Sequence, residues 1–346
     1  MAQSKPHIVV FFGGTSDSHD LSQETGYWVC NYIPRSKYRV TPVRVTPEGT
    51  WQVPLGGLPQ QGSVDRMLEM LFASVRPVPA ALGMQRLLHH PVAAMMTTVR
   101  GPGGDDGSLH TLGSTLGIPV VGSNSATCQQ TSHKQLCAIA LDDIVATPYS
   151  LYFRRSKPDE EIAQEVRDVL MPPFFVKPTA EEGSAGVYEV QSLEELAPAI
   201  RIAKTKGDIL VQERAPGTEI TVTVVEDERG KSLILPPTLV VPKAATFYDE
   251  LAKRRQGRVV LHTPDPASNR ILWEAQALAQ DVYDQLGCRG YASVDMVTHD
   301  HGIQLLEVNT IPTLTSLTPL RQQLQAAHLH PTTFIDSLIS RSINQG

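Results

Sequence analysis

The sequence predicts a chain that is α/β at its start and α+β further on, and three stretches carry that reading. His7-Ile8-Val9-Val10-Phe11-Phe12 reads as a strand, apolar from Ile8 on, that stops at Gly13-Gly14 and leads into a helical pattern, the opening of an α/β layer. From residue 174 onward, short strands are joined by glycine and proline turns, as in a mostly antiparallel sheet. Near the end, strands over 291–297 and 305–309 flank the polar turn Thr298-His299-Asp300-His301-Gly302. With 346 residues, 41% of them hydrophobic, the chain has room for two or three domains with buried cores.

Composition also removes several function classes. A net charge of −6 offers no electrostatic footprint for nucleic acid or an anionic membrane. There is no signal-peptide layout and no apolar run long enough to span a bilayer, so the expected location is the cytoplasm. The four cysteines, Cys30, Cys128, Cys137 and Cys288, are widely spaced without a CxxC pair. They read as buried thiols in a reducing compartment, not as a zinc site or disulfide framework.

In chain order, the first strand ends at Gly13-Gly14-Thr15-Ser16 and a helix runs to about Tyr32. Such a turn lets the backbone approach an anionic ligand at a helix N-terminus, and it serves plain packing equally well. A strand over 38–45, a helix over 64–74 and a loop at 77–83 follow, while 76–91 carries no readable pattern. A strand over 93–99 meets a second glycine-rich junction, Arg100-Gly101-Pro102-Gly103-Gly104, so two such junctions can flank one crevice. A short strand at 117–123 and a single helix over 125–142, carrying Lys134, lead out of the first domain.

The strand over 172–178 places Lys177 near its end, before the glycine loop Thr179-Ala180-Glu181-Glu182-Gly183-Ser184-Ala185-Gly186. Free backbone N–H groups and a lysine suit phosphates; a hairpin tip is the plain alternative. A helix over 193–206, a strand over 208–213 and an alternating strand over 220–225 build the sheet onward. Residues 245–258 are polar and basic toward their end, which fits a solvated run or a lid over phosphates. The longest helix is expected over 267–287 and a last one over 331–344.

The closing hairpin carries the sharpest chemistry. Alternation puts Glu307 and Asn309 on one face and Leu306 and Val308 in the other layer. A turn centred on His301 sets Asp295 opposite Glu307 and Ser293 opposite Asn309. Facing carboxylates repel, so either the face is simply solvated or a hard cation such as Mg²⁺ lies between them.

Taken in order, GGTS, GGDDGSLHTLGSTLGIPVVGS, FFVKPTAEEGSAGV, ILVQERAPGTEITV, TFYDELAK, LGCRGYASVDMV and LLEVNTIPTLTSLTP resemble the ATP-grasp superfamily, most closely the D-alanine:D-alanine ligases of peptidoglycan synthesis. The resemblance covers nearly the whole chain. It implies a Rossmann-like domain over 1–123, a central lid over 124–211 and a C-terminal ATP-grasp domain over 212–346. It implies ATP phosphates met by Lys134, Lys177 and Lys253, under a loop carrying Glu182 and Ser184. Gln212 and Glu213 are then expected by the adenine and Glu219 at the ribose. Asp295, Glu307 and Asn309 are expected to ligate two Mg²⁺ ions, with Mn²⁺ able to substitute. The implied partners are ATP, small amino acids and a second copy of the chain as a homodimer.

This chain departs from that pattern at its amino-acid positions. Ser293 stands where the family has the arginine of the oxyanion, Thr313 stands for a glycine, and Ser18, with Asp17 and Asp20 nearby, stands for the glutamate that holds the substrate amino group. Arg100 replaces a histidine and Arg254 a tyrosine, while Ser316 is the position expected at the second substrate's carboxylate. The resulting expectation is a ligase whose missing arginine is supplied by Arg100, Arg254 or Arg255, with amino-acid or hydroxy-acid substrates. The alternatives are a changed substrate or a nucleotide binder that has lost ligation.

Overall fold

The computed structural model describes residues 5–59, 63–180, 186–243, 259–299, 302–315 and 317–345. In chain order the elements begin with β1 (His7–Gly13), α1 (His19–Tyr32), β2 (Arg39–Val45), β3 (Trp51–Gln52), α2 (Val64–Ser74), α3 (Ala80–Leu87), β4 (Ala94–Thr97) and α4 (Ser108–Leu116). Next come α5 (Ser125–Ser132), α6 (Lys134–Ala140), β5 (Ser150–Phe153), α7 (Asp159–Val169), β6 (Phe174–Pro178), β7 (Tyr188–Val190), α8 (Leu193–Lys206) and β8 (Ile209–Glu213). The last part holds β9 (Thr218–Glu226), β10 (Ser232–Ile234), β11 (Thr238–Pro242), β12 (Val259–His262), α9 (Arg270–Gln285), β13 (Tyr291–His299), β14 (Gly302–Asn309), α10 (Pro319–Ala326) and α11 (Pro331–Gln345).

The first sheet has the order β3-β2-β1-β4, with β1 parallel to both β2 and β4. β1 is buried throughout and apolar after His7 because both its faces are covered. Ile8, Val10 and Phe12 join Val29, Leu68 and Phe72 of α1 and α2, while Val9 and Phe11 join Trp51, Met84 and Leu109 on the other side. The unread stretch 76–91 supplies part of that second cover. Val78 bridges Trp51, and α3 lies so close that a Cβ on Gly83 would be 2.9 Å from the Trp51 ring. Proline at the helix start and glycine inside it are turn signals in sequence, which hid the helix.

The second sheet, β5-β8-β6-β7, is antiparallel, with α7 and α8 packed on one face. The third runs β12-β11-β9-β13-β14, with β10 beside β9. On one of its faces Ile220, Val222, Val224, Ala292 and Val294 pack against Leu272, Ala275 and Ala279 of α9. The C-terminal helix α11 returns to the first sheet's core through Phe334, Ile335 and Leu338.

Two expectations need correction. The single helix over 125–142 is two helices, broken at His133, whose backbone is extended (φ −103°, ψ 99°) and whose ring accepts the Leu136 N–H. The break puts Lys134 at a helix start, where its backbone N–H donates to Thr179 O (2.9 Å) just beyond β6. In the hairpin, Thr298, His299 and Gly302 belong to the strands, and the pairing shifts by one residue between Asp295 and Met296. The extra residue is Leu306, a β-bulge. Leu305 therefore enters the core and Leu306 lines a cleft, reversing the expected side of Leu306. The four cysteines are buried and unbridged, and burial pushes the Cys30 thiol up to about 12.

Candidate active site

The face of the third sheet opposite α9 is polar. On β9, residues 219, 221 and 223 alternate with the core residues Ile220, Val222 and Val224, so Glu219, Thr221 and Thr223 share one face. β13 adds Ser293 and Asp295, and β14 adds Glu307 and Asn309. Asp295 pairs with Glu307 and with Thr221, while Ser293 pairs with Asn309 and with Thr223. The ladder starts at His299 and Gly302, a register that unbroken would set Asp295 opposite Leu306, and the bulge restores the predicted pairing of the two carboxylates.

Their hydrogen bonds tie the two carboxylates to one another through neighbouring donors. Asn309 Nδ2 donates to Asp295 Oδ2 (3.0 Å) and to Glu307 Oε1 (3.4 Å), and Thr221 Oγ1 donates to Asp295 Oδ1 (2.6 Å). Lys134 Nζ stands 3.5 Å from Glu307 Oε2. Donors thus occupy the space between two carboxylates. Only with its carboxamide turned over, so that the oxygen and not Nδ2 faces the carboxylates, would Asn309 complete an all-oxygen set that suits a hard divalent ion.

Glu307 also joins two cavities. One, of about 350 Å³, lies between the second and third sheets and is lined by Lys134, Tyr149, Ser150, Gln212, Leu306 and Glu307. Beside it Lys177 is buried and donates to Gln212 Oε1 (2.6 Å), and Gln212 Nε2 donates to Ser150 Oγ (2.9 Å). Burial, reinforced by Lys134 and opposed by Glu307, pushes the Lys177 ammonium down to about 7. The other cavity is lined by Arg100, Thr223, Ser293, Asp295, Asn309 and Thr313, with Glu307 at its edge.

The two glycine junctions meet at Arg100, which lines this second cavity. β1 and β4 are neighbours, and Ser16 Oγ donates to Arg100 O (2.7 Å), tying one junction to the other. Arg100 reaches across to the third sheet: Nη1 donates to Ile311 O (2.6 Å) and Nη2 to Asn309 Oδ1 (3.3 Å), while Nε is 3.4 Å from Asp105 Oδ2.

Two family models cover most of the chain, "D-ala D-ala ligase N-terminus" over residues 7–123 and "D-ala D-ala ligase C-terminus" over 140–340. The chain belongs to the D-Ala-D-Ala ligase family. It is an ATP-dependent ligase by that membership. A D-alanine--D-alanine ligase of Clostridium acetobutylicum is 28% identical over 97% of both chains, and one of Mannheimia succiniciproducens is 30% identical over 89% of both. The solved VanG D-Ala:D-Ser ligase from Enterococcus faecalis superposes with a TM-score of 0.81 at 23% identity, covering 98% of this chain and 100% of that one. The fold of this ligase is accordingly the ATP-grasp fold.

Within this family member, Lys134, Lys177, Gln212, Glu307, Asn309, Asp295, Ser293, Thr313 and Arg100 gather around the two joined cavities. Glu213 turns to the chain beside the cleft, accepting the Tyr149 N–H at Oε1 (2.8 Å). Glu219 lies on the polar face nearer the β11 edge, paired with Val240 and Val297. Ser18 is buried at the start of α1, and Asp20 is on that helix's exposed side. Lys253, Arg254, Arg255, Glu182, Ser184 and Ser316 lie outside the described residues.

Sequence reasoning passed over Thr221, Thr223 and Asp105. The threonines share parity with Glu219 in Thr218-Glu219-Ile220-Thr221-Val222-Thr223, so their face was readable. The hydroxyl-rich loop after β14 is largely consumed in holding itself. Thr318 Oγ1 donates to Thr313 O (2.9 Å), the Thr315 N–H donates to Thr318 Oγ1 (3.1 Å), and the Leu314 N–H donates to Thr25 Oγ1 (3.3 Å).

Proposed function

We propose that this ligase joins two small amino acids as a D-alanine:D-alanine ligase does, with the amino-acid wall altered, and that the product feeds peptidoglycan synthesis. One observation carries the reading: the lysine-lined cleft and the arginine-lined cavity meet at Glu307, opposite Asp295. A γ-phosphate held by Lys134 and Lys177 then faces a carboxylate held in the second cavity. A carboxylate oxygen attacks the γ-phosphorus, forming the acyl phosphate as the bond to ADP breaks. The amine next attacks the acyl carbon and loses a proton, and phosphate leaves with the electron pair of the C–O bond.

Asp295, Glu307 and Asn309 are the residues that would hold two Mg²⁺ ions, or Mn²⁺ in their place. Bound there, the cations screen the triphosphate from the incoming anion. The remaining ATP contacts in this reading are Gln212, Glu213 and Glu219 toward the nucleoside, with Lys253, Glu182 and Ser184 on the covering loops. Ser18, Asp20, Thr313 and Ser316 belong to the amino-acid side. The division into domains at 1–123, 124–211 and 212–346, the homodimer and the cytoplasmic location rest on the family resemblance.

A partner other than D-alanine is favoured by Ser18 and Ser293, which replace the charged residues of the family pattern by small hydroxyls in buried positions. ATP-dependent phosphate release measured across D- and L-amino acids and 2-hydroxy acids tests the whole reading. At least one of these is expected to stimulate release, and a protein that binds ATP yet responds to none is a nucleotide binder instead.

The depressed Lys177 ammonium adds a pH prediction. Above about pH 7 the nucleotide-free protein leaves Lys177 mostly neutral, and a bound triphosphate restores its charge. ATP binding at roughly pH 8 should therefore take up close to one proton, and affinity should weaken as pH rises from about 7. Calorimetry in two buffers of different ionisation heat measures this; equal heats in both contradict it.

A further inference from the structure

We propose that Arg100 is a catalytic residue of this ligase, supplying from the N-terminal sheet the positive charge that receives the substrate carboxylate and the oxyanion formed at its carbon. The proposal rests on the ligase reading and deepens it, because it says which group replaces the arginine absent at Ser293.

Position is the first support. Arg100 and Ser293 line the same cavity, and Arg100 Nη2 touches Asn309 Oδ1 (3.3 Å), the residue paired directly across the ladder from Ser293. The guanidinium reaches the region served by β13 without belonging to that strand. Among the described residues it is the one cationic side chain lining this cavity, whereas Lys134 lines the nucleotide cleft. Cations are thus divided between the two compartments, lysines toward the triphosphate and the arginine toward the acyl group.

Preorganisation is the second. The Arg100 side chain is 8% exposed and that of Asp105 6%. Asp105 lies 3.4 Å from Arg100 Nε and is itself fixed by the Gly101 N–H at 2.7 Å. Nη1 is anchored on Ile311 O (2.6 Å), in the loop that follows the metal strand, and the Arg100 carbonyl accepts from Ser16 Oγ (2.7 Å). A buried guanidinium has a rigid fork of donors, so it meets planar carboxylates and oxyanions with little reorganisation. The neighbouring hydroxyls of Thr223 and Ser293 are buried on the same wall.

Steady-state kinetics on R100A, R100K and the double variant R100A/S293R, with ATP affinity and thermal stability measured alongside, test the assignment. In R100A, kcat should fall roughly 10²–10³-fold, the loss typical of one oxyanion donor, while ATP affinity stays within about threefold. R100K keeps a charge but loses the fork; it should fold as wild type and still lose most of kcat. Restoring a guanidinium through S293R, or adding free guanidinium to R100A, should recover at least about tenfold of the loss. R100A turning over within about threefold of wild type overturns the proposal, as does a loss of activity that neither guanidinium source recovers. A wild-type protein without substrate-stimulated phosphate release fails at the ligase reading instead, before any variant is compared.

Discussion

Asp295→Asn is expected to remove at least about 10²–10³ of kcat in amino-acid-dependent phosphate release, without destabilising the metal-free protein. Asp295 accepts from Thr221 and Asn309 on one side and faces Glu307 across the ladder. In the absence of a cation, the two carboxylates face each other across the ladder with the neutral Asn309 amide between them and Lys134 beside Glu307 alone, an arrangement in which their repulsion costs stability. Neutralising one relieves that repulsion and also removes a ligand from the proposed metal set. The two effects have opposite signs. Urea unfolding of D295N in a chelator should therefore give a stability equal to or above wild type, by up to about 1 kcal/mol, while turnover with Mg²⁺ collapses. A variant that keeps a tenth or more of the wild-type rate removes Asp295 from the proposed metal set.

The largest stability effect is expected far from the chemistry, at Arg341→Ala. Arg341, on α11, places Nε 2.7 Å from Glu226 Oε2, with side chains only 11% and 4% exposed. The same carboxylate oxygen accepts the Gly290 N–H at 2.6 Å, just before β13 begins. Because α11 also packs into the first sheet's core, the pair fastens the end of β9 to the helix that bridges the first and third sheets. Deleting the arginine leaves a buried carboxylate uncompensated, a change that costs about 3–5 kcal/mol. The double variant R341M/E226Q, which removes both charges and keeps bulk, should regain most of it. Denaturant unfolding of the single and double variants reads both numbers, and a single-variant cost below about 1 kcal/mol would show that the pair contributes little.

Much of the candidate site's geometry is legible in the sequence. The expected pairs of Asp295 with Glu307 and of Ser293 with Asn309 are both present, but through two compensating differences, a ladder that starts at His299 and Gly302 and a bulge at Leu306 that shifts it back. The adjacent glycine junctions also meet as expected, since β1 and β4 are parallel neighbours. What escaped has physical causes. Leu305 and Leu306 are chemically identical, so no hydropathy pattern could say which of them the bulge would send into the core. The break at His133 uses neither glycine nor proline, so nothing in the composition marks it. Helix α3 was hidden by the very residues that fit it in place, Pro79 at its start and Gly83 against Trp51. Arg100 is one of several candidate arginines in the sequence, and what singles it out is its contacts with Ile311 and Asn309, more than 200 residues along the chain and outside any local pattern.

In the proposed reaction a carboxylate is activated by phosphoryl transfer where the two cavities meet. A carboxylate substrate labelled with ¹⁸O in both oxygens, turned over with unlabelled ATP, tests it most directly. Attack of that carboxylate on the γ-phosphorus, followed by displacement of phosphate, leaves one labelled oxygen in each phosphate released and one in the ligated product. That transfer, stoichiometric with product, is the predicted result. Phosphate released without label would contradict the account, because it would come from water and not from an acyl phosphate.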